Sequence, residues 1–243
     1  MKYYILSIND SGAIEDSEEN IVDGLKSLKC KIYDDDEFNS LNDILHSLDD
    51  YIINEKTLKL FKKSIVIPFE LTPTIVTRKE SKFGIFNSAK SYNYVQLKIK
   101  KPNDLFCYNW IDFEKSEIKI IKNGVECGKL NSHQETLNLI KDNYKINSAL
   151  IEIENLDISD KEKIEKSKGL ITSSWITKKI VFNKSFDYSV DLFEIPFYSW
   201  GTYISERLKI SLITNNITDI GFAETKEELG IVWKPHFPVI EFL

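Results

Sequence analysis

Three histidines, three cysteines and 38 Asp and Glu residues are the side chains of this chain best suited to acid–base, nucleophilic or metal chemistry. His46, His133 and His236 are too dispersed for a His-Glu-x-x-His zinc motif. Cys30, Cys107 and Cys127 form no Cys-x-x-Cys knuckle, and their odd number and wide spacing argue against a disulfide framework. There is no Gly-x-Ser-x-Gly elbow and no glycine-rich loop to cradle phosphate. The densest acidic run, Asp34-Asp35-Asp36-Glu37, lacks the pattern of a calcium loop. Adjacent side chains on an extended chain point to opposite faces, so a cation there needs other ligands. Glu152 and Glu154 read as one solvated strand face rather than a glycosidase pair. Cys107 and Cys127 fall in apolar, strand-like segments and read as small buried hydrophobes. In space, either could meet His133, so the alternative reading is a hydrolase whose site is assembled from scattered Cys, His and carboxylate residues. The main expectation is a chain with no catalytic residue, no metal and no cofactor.

The elements that must position these residues are sheet-rich. Isoleucine is abundant, 34 residues, and alanine scarce, 4 residues, a balance that favours β-structure over helix. With 243 residues the chain is long enough for one large domain or two small ones. The expected architecture is α+β, a mixed, mainly antiparallel sheet with peripheral helices. It is read as one domain over 1–243, with 1–145 and 146–243 as possible subdomains.

Strands are predicted at Lys2–Ile8, Lys29–Tyr33, Tyr51–Ile53, Ile65–Phe69, Ile75–Arg78, Tyr92–Lys100, Phe106–Ile111, Glu117–Lys122 and Val125–Leu130, and later at Ala149–Glu154, Ile171–Phe182, Tyr188–Ile195 and Ile217–Phe222. Asn123-Gly124 supplies the positive φ angles of a two-residue type I′ turn. Asp10–Asn20 reads as an acidic loop and Ile21–Leu28 as a short helix. Ser40 opens another helix, with Leu41, Ile44, Leu45 and Leu48 as its apolar stripe. Asn54, Ser159 and Ser205 are expected N-caps, and Thr136–Asn143 a short helix. The Tyr51–Asn54 and Tyr203–Ser205 segments each run strand, cap, helix, strand. That echo fits an ancient duplication or the convergent use of good caps.

Charge narrows the partner. Residues 1–50 hold 4 Lys against 13 Asp and Glu, which is −9, whereas the remainder holds 28 Lys and Arg against 25 acids, which is +3. A nucleic-acid partner wants the opposite sign, because Lys and Arg must displace counterions from phosphate. A basic protein partner or a merely solvated acidic face fits better. No apolar run approaches the ~20 residues of a membrane span. The N-terminal apolar run is cut at once by Asn9-Asp10, so it reads as a strand rather than a secretory signal, and the expected location is cytoplasmic.

Three pieces resemble a known family when taken together. They are Tyr203-Ile-Ser-Glu-Arg-Leu-Lys-Ile-Ser-Leu212 with Ile217-Thr-Asp-Ile-Gly-Phe222, then Asp112-Phe-Glu-Lys-Ser116, and Leu192-Phe-Glu-Ile-Pro196. The combination is similar to a family of immunity proteins from bacterial polymorphic toxin systems, which carry a Ser-Glu-Arg-Leu-Lys helix and then a Thr-Gly-Ile/Leu-x-Phe strand. Asp219 stands where that family usually has glycine. The resemblance spans about residues 50–225 and implies a cytoplasmic binder of a cognate toxin domain. Its motifs are fold signatures: Ser205 as a cap, with Leu208 and Leu212 on the core face of the helix. The expected partner-binding residues are Asp34, Asp35, Asp36 and Glu37 on an exposed loop, and Tyr198, Trp200 and Trp233 as aromatic anchors kept out of ordinary strands by turn residues.

Overall fold

A computed structural model describes residues 2–8, 14–22, 25–32, 43–47, 50–64, 69–82, 86–99, 106–195, 197–199, 201–218, 220–224, 228 and 237–243. In chain order the elements are β1 (Tyr3–Ile8), β2 (Ile14–Val22), β3 (Leu25–Ile32), β4 (Ile44–Ser47), β5 (Asp50–Ile53), α1 (Glu55–Phe61), β6 (Phe69–Lys82) and β7 (Phe86–Ile99). A 3-10 turn over Phe106–Trp110 follows, then β8 (Glu117–Lys122), β9 (Val125–Lys129), α2 (His133–Glu154), α3 (Asp160–Ser167), β10 (Ser173–Phe182), β11 (Leu192–Glu194), β12 (Thr202–Ser205), α4 (Glu206–Thr214), β13 (Ile220–Ala223) and β14 (Val239–Phe242). The fold is α+β and sheet-rich, with mostly antiparallel pairing.

The chain divides into two compact units. One comprises Met1–Asn103, Asp187–Glu194 and Gly201–Gly230, the other Asp104–Phe186, Ile195–Trp200 and Ile231–Leu243. Both draw on distant segments because strands pair across long separations. Residue 145 lies inside α2, so a cut there would sever a helix.

The first unit holds two sheets. In the order β11-β12-β1-β13, the central β1 is paired antiparallel on both sides. Its Tyr3, Tyr4, Ile5 and Leu6 are all buried, the continuous pattern of a strand covered on both faces. The second sheet runs β2-β3-β6-β7-β5-β4, antiparallel except for β3 beside β6. Leu45, Ile52, Val76 and Tyr94 form a buried cluster with Tyr92 packed on it. Tyr51 of the second sheet donates its hydroxyl to Thr202 of the first.

Three expectations here give way. The segments read as an acidic loop and a short helix over 10–28 contain an antiparallel pair, β2 with β3, closing at Val22↔Leu25. The helix expected after Ser40 is instead strand β4, pairing Ile44↔Ile53 and Leu45↔Ile52. A helical stripe and a short buried strand share the pair Ile44-Leu45, and burial against β5 decides between them. The strand expected at Ile75–Arg78 lies within β6, one 14-residue strand from Phe69, while residues 65–68 of the strand expected at Ile65–Phe69 lie outside the described residues.

In the second unit the sheet order is β14-β10-β8-β9, with β14 parallel to β10. Phe182, Phe186, Phe242 and Trp110 make an aromatic core. The Asn123-Gly124 turn has φ of 52° and 73°, as expected of type I′. Phe106–Trp110 is a 3-10 turn rather than a strand. Ala149–Glu154 continues α2 rather than alternating as a strand. Adding residues to a helix already nucleated by the Ser132 cap is easier than starting a strand with no neighbour. Glu152 and Glu154 therefore do not share a face. Among the described residues no helix is long and apolar enough to cross a membrane.

Candidate partner-binding surface

The expected anchors fall in different places. Asp34, Asp35, Asp36, Glu37, Trp200 and Trp233 lie outside the described residues. Tyr198 is described and only 2% exposed. Its hydroxyl lies 2.9 Å from His133 Nδ1 and 2.7 Å from Thr136 Oγ1, both in the first turn of α2. Tyr198 thus serves to pin the segment around it to a helix.

That segment presents its neighbour. Phe197 has φ of 71° and is 48% exposed. A bulky residue in the left-handed region is a backbone outlier, costing roughly 1–3 kcal/mol unless its surroundings hold it. Here three bonds do so. The Phe197 carbonyl accepts the Trp175 indole N–H at 2.7 Å. The Tyr198 and Ser199 amides donate to the Ile195 carbonyl at 3.1 and 3.0 Å. Beside Phe197 the Tyr108 ring stacks on His133, centroids 3.6 Å apart and planes 18° apart. Phe197 lies 6.3 Å from Tyr108 and 6.0 Å from His133. An exposed aromatic is thereby fixed on a rigid aromatic base.

Burial lowers the pKa of the His133 imidazole below the ordinary histidine value. The face of Tyr108 favours a cation, but the net direction is down, toward neutral imidazole at neutral pH. Cys127 is exposed and its thiol faces the Ile120 carbonyl at 3.6 Å, so it is not a buried hydrophobe. The Cys107 side chain is outside the described residues. Among the described residues no group of three or more His, Cys, Asp or Glu could hold a metal ion.

The segments of the family resemblance build scaffold. Ser205 Oγ accepts from the Leu208 amide at 3.2 Å and also donates to buried Asp191 Oδ1. Arg207 reaches the same oxygen with Nε at 3.0 Å and Nη2 at 2.8 Å. The Ser-x-Arg spacing on α4 thus holds one carboxylate from the segment before β11. In Asp112–Ser116, the buried Ser116 hydroxyl donates to the Asp112 carbonyl at 2.7 Å and accepts from the Val181 amide at 2.9 Å, tying that turn to β10. Sequence reasoning missed Phe197 and Tyr108. Pro196 before Phe197, with Ser199 and Gly201 after it, is a local sign of a turn. No protein-family model matches the chain, and no curated protein shows significant similarity to it.

Proposed function

We propose that this chain is a stoichiometric binding protein of the cytoplasm that captures a cognate, basic toxin domain and neutralises it without chemistry of its own. The toxin's active site would be covered or distorted over an interface of about 1,200–2,000 Å². The resemblance to immunity proteins and the acidic first fifth of the chain support the reading. The observation that carries it is Phe197. A half-exposed phenylalanine held in a strained backbone is poor for stability and well suited to insertion into a partner's pocket.

The test is to co-express the chain with the protein encoded immediately upstream of its gene. The expected result is restored survival of cells that this neighbour poisons, and a one-to-one complex on size exclusion. Phe197→Gly relieves the strain at φ 71° and deletes the ring. It should keep or raise the melting temperature while weakening the complex about tenfold or more. A harmless neighbour that forms no complex sinks the proposal, and a Phe197→Gly variant that binds as tightly as wild type removes Phe197 from the interface.

A further inference from the structure

Helix α2 is longer than its own unit requires. Its 22 residues run about 33 Å at ~1.5 Å per residue, yet among them only Thr136 in the first turn is buried. The helix is fastened midway by Asn143, whose Oδ1 accepts the Ser173 amide at 2.8 Å and whose Nδ2 donates to the Ser173 carbonyl. Beyond that point α3 packs alongside it, held by the Lys163 ammonium on the Glu154 carbonyl at 2.6 Å. Among its described residues α3 buries none. The two helices leave an apolar surface in solvent: Tyr144 is 74% exposed, Ile151 63% and Ile164 70%. Ile151 and Ile164 line one shallow groove between the helices.

The spacing along α2 says what covers this surface. Tyr144 and Ile151 are seven residues apart, two helical turns, and share a face, with the small Ser148 between them. On the flank of that stripe, Lys145 and Glu152 are also seven apart, and both are exposed. In two parallel copies related by a two-fold, this flank faces the opposite flank of the partner helix, so Lys145 and Glu152 do not face each other. Two antiparallel copies set each Lys145 against the other copy's Glu152, twice per pair, and bring the Tyr144–Ile151 stripes together over Ser148. The surface is thus complementary to itself, as a two-fold interface must be.

We infer that the α2–α3 arm is a self-association surface and that a second copy of this chain docks on it, the two α2 helices antiparallel about an axis near Ser148. Tyr144 of each copy covers apolar surface beside Ile151 and Ile164 of the other, and Lys145 pairs with Glu152 across the axis. The exposed Lys145–Asp142 contact within one copy, 3.4 Å, is readily exchanged for it. This inference is independent of the proposed toxin binding.

Sedimentation equilibrium of the full chain, from low to high micromolar, tests it. The expected mass rises with concentration from 28.2 kDa toward twice that value. Tyr144→Glu and Ile151→Glu should each leave a monomer with unchanged circular dichroism, because both side chains are exposed. Lys145→Glu should weaken the dimer about tenfold, since two symmetry-related contacts turn repulsive. Adding Glu152→Lys should restore it. A monomer at every concentration, or a dimer that survives Ile151→Glu, overturns the inference. A charge swap that fails to restore association overturns the antiparallel arrangement.

Discussion

Ser205 holds more than a helix end. Its one oxygen accepts from the Leu208 amide and donates to Asp191, a carboxylate 6% exposed and shared with Arg207. Loss of a cap typically costs ~1 kcal/mol, and loss of a hydrogen bond to a charged group ~1.5–3 kcal/mol. Ser205→Ala should therefore destabilise by about 2–4 kcal/mol in chemical denaturation, and Ser205→Thr, which keeps the hydroxyl, by much less. His133 gives a pH signature of opposite origin. Its folded value is depressed by burial, and the N-terminal end of α2 acts in the same direction. As pH falls below about 6.5 the unfolded chain takes up a proton that the folded chain refuses, so stability drops until the lower folded value is passed. In thermal melts between pH 7.5 and 5, both values chosen to bracket the ordinary histidine range of about 6–7, wild type should lose more melting temperature than His133→Gln. Equal losses would show that His133 is not linked to folding.

At the scale of elements, caps and turns are the most legible features. Asn54 accepts from the Thr57 amide at 2.9 Å, Ser159 and Glu162 complete a capping box, and α4 occupies Glu206–Thr214 as its cap predicts. The Asn123-Gly124 turn can be tested by itself. A Cβ on Gly124 meets nothing within 4 Å, so Gly124→Ala carries only the backbone penalty of φ 73°. It should cost about 1–2 kcal/mol and loosen the β8–β9 pair first, read as faster amide exchange in β9. The strands of the first unit were harder to read. Asp23-Gly24 lies between the paired Val22 and Leu25 and is itself a hairpin signal, overshadowed by the acidic composition around it.

For the whole molecule, charge is the property that the sequence states most directly. Residues 1–50 carry −9 against +3 elsewhere, an asymmetry that suits either the basic partner of the proposed function or a solvated acidic face. Exposed charges act chiefly on association rate and are screened by salt. If the proposed function holds, changing Asp34, Asp35, Asp36 and Glu37 to Asn or Gln should slow association with the proposed toxin partner at low salt, with the difference shrinking as salt rises. Association at the wild-type rate in low salt would leave the run a solvated surface. The segments of the family resemblance divide between the two units, Asp112–Ser116 in the second and Leu192–Glu194 with Thr202–Phe222 in the first, so any test of that resemblance needs the full chain.

What the sequence determined by itself is the α+β class, the helix starts at Asn54, Ser159 and Ser205, and the type I′ turn. Each start or turn depends on side-chain and backbone groups within about four residues, so its energy is local and its signal is written in one place. What only the tertiary structure decided is the strand nature of Ile44–Ser47, the length of α2, the 3-10 turn at Phe106–Trp110 and the positive φ of Phe197. These depend on groups far along the chain: Ile52 and Ile53 opposite Ile44 and Leu45, Ser173 beneath Asn143, and Trp175 on the Phe197 carbonyl. A short apolar run is ambiguous until it has a neighbour, and that neighbour is supplied by folding.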